Sequence, residues 1–310
     1  GNVGYKLANS LVETDHEIYV HDLKKNSANN LIKSGAIWVD SPKELASQSD
    51  IAITCLPSPK AVAEVIEGNN GLINGISKGK VWIEMSTTDS SEMLRLGKLM
   101  ELKGVHCCEA PVSGGCHRAA TGNIAILVGG KRMAFDLALP ALEAMGHQIL
   151  HVGELGKASV LKVVTNFLAS THLVALGEAL MVCKKAGLDL STVYEGIKIS
   201  SGNSFVHETE SQVIMNGSYN INFTMDLVCK DVGLFDSLAN SMDIPTEVSP
   251  LIKDIFKKGR QDYGDRAWSS MIVKRLEDVC NTNLRASGFP EELVDNEPRK
   301  KGYEVIVNHE

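Results

Sequence analysis

At 310 residues, with 44% hydrophobic and 22% charged side chains, the chain has a globular composition and room for about two domains. Its net charge of -7 argues against a nucleic-acid binder. Seven cysteines with no C-x-x-C spacing point to reduced thiols in the cytoplasm, and no apolar run is expected to reach the roughly 18 residues of a membrane span.

The opening Gly1-Asn2-Val3-Gly4 precedes a helical pattern (Leu7, Ala8, Leu11, Val12), then a strand ending in Asp22. This is the second half of a dinucleotide fingerprint: G-x-x-G, a helix, a strand, and an acid about 20 residues on. The first strand and first glycine of the fingerprint are absent, so a preceding segment is expected. In this reading Gly1 lets the backbone approach a pyrophosphate, Asn2 and Val3 line the turn, and Gly4 permits tight helix packing. Asp22 would bind the ribose hydroxyls and favour NAD, while Lys24 and Lys25 keep NADP open. Asp22 is also compatible with an ordinary turn.

Strands and helices then alternate. Ser41-Pro42 opens a capped helix to Ser49, and a buried strand over 50–57 stops at Leu56-Pro57. A helix follows over 59–67. A strand over 80–85 runs into Ser86-Thr87-Thr88, then come a helix over 89–103 and a strand over 105–109. Leu56-Pro57 and Ser86-Thr87 would share one edge of a parallel sheet, the edge where Rossmann-type folds bind cofactor. His106-Cys107-Cys108 raises a metal site, but adjacent cysteines rarely chelate one ion, so no metal is expected. In Glu109 to Gly130 two glycine pairs bracket a strand. Ser113 with the amides of Gly114 and Gly115 could receive a carboxylate, although by itself a Gly-Gly turn between strands is the simpler reading.

Gly153 to Asn166 reads as a turn feeding a long helix over 157–185, closed by Lys184-Lys185 and Gly187. Lys162 and Asn166 are four apart and share a face. A lysine at such a junction can face a cleft between domains, but on the local pattern alone a solvated lysine is the commoner outcome. Five further helices follow, over 190–199, 206–215, 225–241, 250–259 and 270–281. The tail over 286–310 is too sparse in apolar residues to form a domain, though its Tyr-Glu-Val-Ile-Val segment (303–307) has strand character.

Taken together, these motifs resemble the β-hydroxyacid dehydrogenase family, the group of 3-hydroxyisobutyrate dehydrogenase, tartronate semialdehyde reductase and, more distantly, 6-phosphogluconate dehydrogenase. The likeness covers roughly residues 1–285. Gly1 and Gly4 match the last fingerprint glycines, Leu56-Pro57 and Ser86-Thr87 the cofactor loops, and Glu109 to Gly115 the D-A-P-V-S-G-G substrate motif. Gly153 to Asn166 matches the catalytic G-x-x-G-x-x-x-x-x-K-x-x-N-N segment, and Lys230-Asp231 a late K-D pair near the nicotinamide. The chain departs from the pattern at Glu109 (usually Asp), at Thr165 (usually Asn), and at His117-Arg118, where a glycine is common.

The resemblance implies an α/β Rossmann-type N-terminal domain over 1–156 and an all-α substrate and dimerisation domain over 157–285. These would be joined by the long helix and followed by a C-terminal extension over 286–310. It implies an NAD(P)-dependent oxidoreductase interconverting a 3-hydroxy acid and its semialdehyde. Lys162 would be the acid/base, its pKa lowered by partial burial, and Asn166 would orient the reacting groups. Ser113, Gly114 and Gly115 would hold the carboxylate, Lys230 would help close the site over the nicotinamide, and His117 with Arg118 would set specificity. An inward Arg118 suits a second anionic group. The expected assembly is a homodimer or homotetramer, with no nucleic-acid or membrane partner. Two alternatives stay open: an imine or other semialdehyde reductase of the same superfamily, and a non-catalytic nucleotide-binding oligomerisation module.

Overall fold

A computed structural model describes residues 1–307; the last three residues of the expected C-terminal extension lie outside the described residues. The chain divides into two compact units, residues 1–162 with the segment from Asp295, and residues 163–294.

Among the described residues, the first unit contains nine strands: β1 (Tyr19–Val20), β2 (Ile37–Trp38), β3 (Ile51–Thr54), β4 (Val81–Glu84), β5 (His106–Glu109), β6 (Val112–Ser113), β7 (Ala125–Gly130), β8 (Gln148–Gly153) and β9 (Tyr303–Glu304). The main sheet runs β3-β4-β5-β7-β8-β9, with β6 paired to β7. All its pairings are parallel except those of β7 with β5 and β6. β1 and β2 form a separate parallel pair. The helices are α1 (Asn2–Val12), α2 (Asn29–Lys33), α3 (Pro42–Gln48), α4 (Pro59–Glu67), α5 (Ser90–Leu102), α6 (Gly115–Thr121) and α7 (Arg132–Met145). Short polar side chains set the starts of α3, α4 and α5. Ser41 accepts from the Glu44 amide, Ser58 from Ala61, and Asp89 from Ser91 and Glu92, with Pro42 and Pro59 at first-turn positions.

Both faces of the sheet are covered, as βαβ connections require. On β4, Val81 and Ile83 pack with Leu7, Leu11, Phe135 and Leu142 on one face. Trp82 packs with Val62, Ile66, Met93 and Leu96 on the other. The same alternation sends Cys107 and Cys108 to opposite faces, which is why adjacent strand cysteines cannot grip one ion. All seven cysteines are free thiols.

Three features differ from the sequence reading. Helix α7 and strand β8 were not anticipated. Pro140 interrupts the α7 pattern, but the buried Phe135, Ala138, Leu142 and Met145 keep a three-to-four spacing. The Gly114-Gly115 pair does not join two strands; it leads from β6 into α6. One helix, α8 (Lys157–Lys185), does contain an 18-residue window of mean hydropathy 1.4, enough by length and composition to cross a membrane. Its apolarity has a packing explanation, because Leu173, Val174, Leu176, Leu180 and Met181 belong to the core of the second unit.

The boundary between the units falls within α8, after Lys162. The second unit continues with α9 (Leu190–Lys198), α10 (Phe205–Asn216), α11 (Met225–Ser241), α12 (Val248–Tyr263) and α13 (Lys274–Cys280), preceded by a 3-10 turn over Ser269–Val273. Phe256, Met225, Ile214, Ile272 and Val273 centre its core. Phe167 of α8 stacks on Phe235 of α11 with ring centroids 4.0 Å apart.

The tail returns to the first unit as β9, parallel to β8. Arg132 grips Glu304 at 2.6 and 2.9 Å, Arg299 reaches Glu13 at 2.7 Å, and Asp295 accepts from Thr121 at the end of α6 and from Asn123 just after it.

Candidate active site

Strands β3, β4 and β5 are parallel, so their C-terminal ends open at one edge. From them issue the segments 55–57, 86–88 and 110–113. A hydrogen bond from the Leu56 amide to Ser86 Oγ at 2.7 Å ties the first two together. Helix α1 starts beside the same edge: a side chain at Gly4 would meet Cys55 Cβ at 3.4 Å, so the glycine keeps helix and strand end close. Asp22 Oδ2 lies 3.4 Å from the Gly1 nitrogen, and Asp22 Oδ1 accepts the Lys24 amide at 3.0 Å. Lys25 places its ammonium over the Trp38 ring, 5.3 Å from the centroid. Gly1 offers no side-chain cap to α1, whose first amides suit a phosphate. The glycine turn, the acid and the two linked loops fit a dinucleotide.

Beneath these loops lies a buried polar network that the sequence reading missed. Glu84 and Glu109 end β4 and β5 as register partners, and both are 0% exposed. Glu84 accepts the Ser86 amide at 2.7 Å and the Thr54 hydroxyl, which in turn receives the Trp82 indole N–H at 2.9 Å. Burial pushes the Glu84 carboxyl up to about 7, against the pull of its Ser86 and Thr54 hydrogen bonds. Burial also raises Glu109, opposed by donors from Ser159, Ala158 and Gly156. Both acids end short strands of apolar character, a position where a side chain can reach the next element. That was the available signal.

Glu109 leads into Ser113, Gly114 and Gly115. Both glycines have positive φ, 125° and 85°, a backbone path that favours glycine. His117 and Arg118 fold back over this turn: a Cβ at Gly115 would lie 2.9 Å from the His117 ring, and one at Gly114 would lie 3.2 Å from Arg118 Cδ. Neither residue is fully solvated. Burial and the neighbouring Arg118 charge lower the His117 pKa, with Asp295 opposing them.

Lys162 is 6% exposed, which overturns the solvated-lysine reading. It lies one turn into α8 from Ser159, on the helix face that continues to Asn166. Asn166 Nδ2 donates to Asp231 Oδ2 at 2.6 Å, and Lys230 Nζ pairs with Asp231 Oδ1 at 2.7 Å. Asp231 is 1% exposed, so the carboxylate that holds Lys230 and Asn166 is buried. Thr165 stands at the position beside Asn166. Among the described residues no group of three or more His, Cys, Asp or Glu side chains could hold a metal ion.

A Rossmann-type unit with this cofactor edge, followed by a helical unit, defines an NAD(P)-dependent oxidoreductase. The family profile described as the NAD binding domain of 6-phosphogluconate dehydrogenase matches residues 1–153, and that described as NAD-binding of NADP-dependent 3-hydroxyisobutyrate dehydrogenase matches residues 156–276. The chain is 32% identical over 285 residues to 2-(hydroxymethyl)glutarate dehydrogenase of Eubacterium barkeri, covering 92% of this chain and 95% of that protein. It is 30% identical over 280 residues to mouse mitochondrial 3-hydroxyisobutyrate dehydrogenase, covering 88% and 84%. The solved structure of Mycobacterium tuberculosis 3-hydroxyisobutyrate dehydrogenase with L-serine superimposes with a TM-score of 0.80 at 25% identity, over 89% of this chain and 96% of that one. The chain therefore belongs to the β-hydroxyacid dehydrogenase family.

Proposed function

We propose that the protein interconverts a 3-hydroxy acid bearing a primary alcohol and the corresponding semialdehyde, with Lys162 as the acid/base. The observation that carries this reading is the burial of Lys162 one turn inside α8. Taking an amine out of water disfavours its charged form, which suits a proton acceptor. When bound, the nicotinamide supplies hydride chemistry. The protein's own work is to bind, orient and move the hydroxyl proton. Lys162 Nζ accepts that proton in the oxidation and returns it in the reduction. Asn166, held by Asp231, presents its amide oxygen toward the reacting groups.

Ser113 and the amides of Gly114 and Gly115 hold the substrate carboxylate. Gly1, Asn2, Val3 and Gly4 cradle the cofactor phosphates, and Asp22 binds the ribose hydroxyls. Leu56, Pro57, Ser86 and Thr87 line the cofactor edge, and the family likeness assigns Lys230 a cofactor-binding role. Arg118, folded over the Gly114-Gly115 turn, suits a second anionic group on the substrate, with His117 beside it. The relative named for 2-(hydroxymethyl)glutarate, a dicarboxylate, supports that specificity. Arg118→Ala should then raise KM chiefly for dianionic substrates, and an unchanged KM removes Arg118 from the site.

A Rossmann-type domain over 1–156, an all-α domain over 157–285 and an extension over 286–310 remain our division by function. We place the enzyme in the cytoplasm, which its free thiols support, as a homodimer or homotetramer. The test is NAD and NADP reduction with a panel of 3-hydroxy mono- and dicarboxylic acids. Turnover restricted to primary-alcohol 3-hydroxy acids is expected; cofactor binding without turnover on any of them overturns the proposal.

A further inference from the structure

A helix start needs acceptors for its first amides, and a side chain at the N-cap normally supplies one. Helix α8 begins at Lys157 after Gly156, which has no side chain. The missing acceptor comes from a distant strand. Glu109 Oε1 accepts the Ala158 amide at 2.8 Å, and Oε2 accepts the Ser159 amide at 3.1 Å and the Ser159 hydroxyl. Room for this carboxylate is made by its register partner Gly129, where a Cβ would lie 2.4 Å from Oε1. The backbone four residues after Glu109 is Ser113, and the residue three after Ser159 is Lys162.

We propose that Glu109 is a positioning residue for the reaction: its carboxylate caps α8 from β5 and thereby fixes Lys162 relative to the Ser113–Gly115 turn. The inference rests on the reading of Lys162 as acid/base given above. One side chain joins the strand that leads into the carboxylate-holding turn to the helix that carries the proton acceptor. Position 156 has a φ of 90°, which favours the glycine found there over a capping side chain, and a local cap would not make that connection. The charge also has a consequence. A carboxylate at a helix N-terminus offsets the partial positive charge of the uncapped amides. Its surroundings hold Glu84 across β4, Cys108 beside it on β5, Gly129 on β7, and Ala158 and Ser159 on α8. Replacing the anion with a neutral amide leaves α8 more positive near Lys162, so the lysine gives up its proton at lower pH.

The experiment compares Glu109→Gln, Ser159→Ala and Lys162→Ala with the wild type, reading kcat across pH, KM, NADH affinity by fluorescence titration, and folded fraction. Glu109→Gln should lose kcat roughly ten- to hundredfold while KM and NADH affinity stay within about twofold, since misplacing a reacting group acts on the chemical step. The acid limb of its kcat profile should move to lower pH. Ser159→Ala should lose less. A wild-type kcat and pH profile in Glu109→Gln overturns the proposal, as does a loss that tracks the folded fraction with the profile unmoved. Where Glu109→Gln does not fold, Ser159→Ala decides: reduced kcat at unchanged KM and NADH affinity supports the proposal, and wild-type kcat overturns it. Wild-type turnover in Lys162→Ala instead removes the acid/base reading itself.

Discussion

Asn166 donates its side-chain amide to Asp231 at 2.6 Å. A carboxylate only accepts, so this contact fixes which way round the amide sits, with the NH2 toward Asp231 and the carbonyl oxygen on its other side. Asp231 also holds Lys230 at 2.7 Å. One buried carboxylate on α11 thus links Lys230 to Asn166 of α8.

This relationship predicts an ordered set of effects. Asp231→Ala removes the buried counter-charge of Lys230 and the acceptor of Asn166, and should destabilise the protein by about 3 kcal/mol. Asp231→Asn fills the same space and should cost about 1–2 kcal/mol. Both should lower kcat. Denaturant titration of the two variants checks the order; equal stability of Asp231→Ala and the wild type contradicts it.

Cofactor preference should turn on Asp22. Its carboxylate lies beside Gly1, while the Lys25 ammonium is drawn over Trp38. If Asp22 binds the ribose as proposed, its charge would oppose a 2′-phosphate. Asp22→Ser should shift the ratio of kcat/KM for NADP over NAD upward by roughly tenfold or more, about 1.4 kcal/mol. The two cofactors, assayed on one substrate, give the answer. A ratio that does not move takes Asp22 out of the ribose site.

Glu84 predicts a pH dependence of stability. Its carboxyl is raised from 4.5 to about 7, first by burial and further by the Glu109 charge, with the Ser86 and Thr54 hydrogen bonds opposing. A raised pKa means that the folded state holds the proton more tightly than the unfolded chain. The resulting stabilisation is fully present below about 4.5 and is lost as pH rises through about 7. The shift corresponds to on the order of 3 kcal/mol. Thermal unfolding from pH 5 to 8 should fall less steeply in Glu84→Gln than in the wild type, with a residual slope of the same sign from Glu109. Parallel curves for the two proteins contradict this.

What sequence could reveal depended on how far apart the partners lie. Gly1 and Gly4 at the start of α1, Leu56-Pro57 and Ser86-Thr87 after strands, and Ser113–Gly115 between β6 and α6 sit where the chemistry is local, and helices such as α4 and α11 carry their own caps or periodicity. Asp22 was legible because it closes a strand at a fixed distance from the glycine turn. Burial was not legible. Lys162 looks like any helical lysine until α8 is placed, and the residue we propose to position it, Glu109, lies 49 residues before Ala158, whose amide it accepts. The Trp82-Thr54-Glu84 network likewise joins strands that only the parallel register brings together. Helix α7 was obscured by Pro140, although its apolar spacing was present. The strand character of 303–307 was legible, but its partner was not: the Tyr303 and Val305 amides donate to the carbonyls of His147, just before β8, and Ile149 within it, a pairing no local pattern encodes.

Buried Lys162 is the group proposed to move the substrate proton. The direct measurement is kcat for oxidation of the best 3-hydroxy acid by wild type and Lys162→Ala, with cofactor affinity measured in parallel. Loss of kcat by roughly a thousandfold with cofactor affinity preserved is the predicted result. A kcat for Lys162→Ala that stays within about tenfold of the wild type would contradict it.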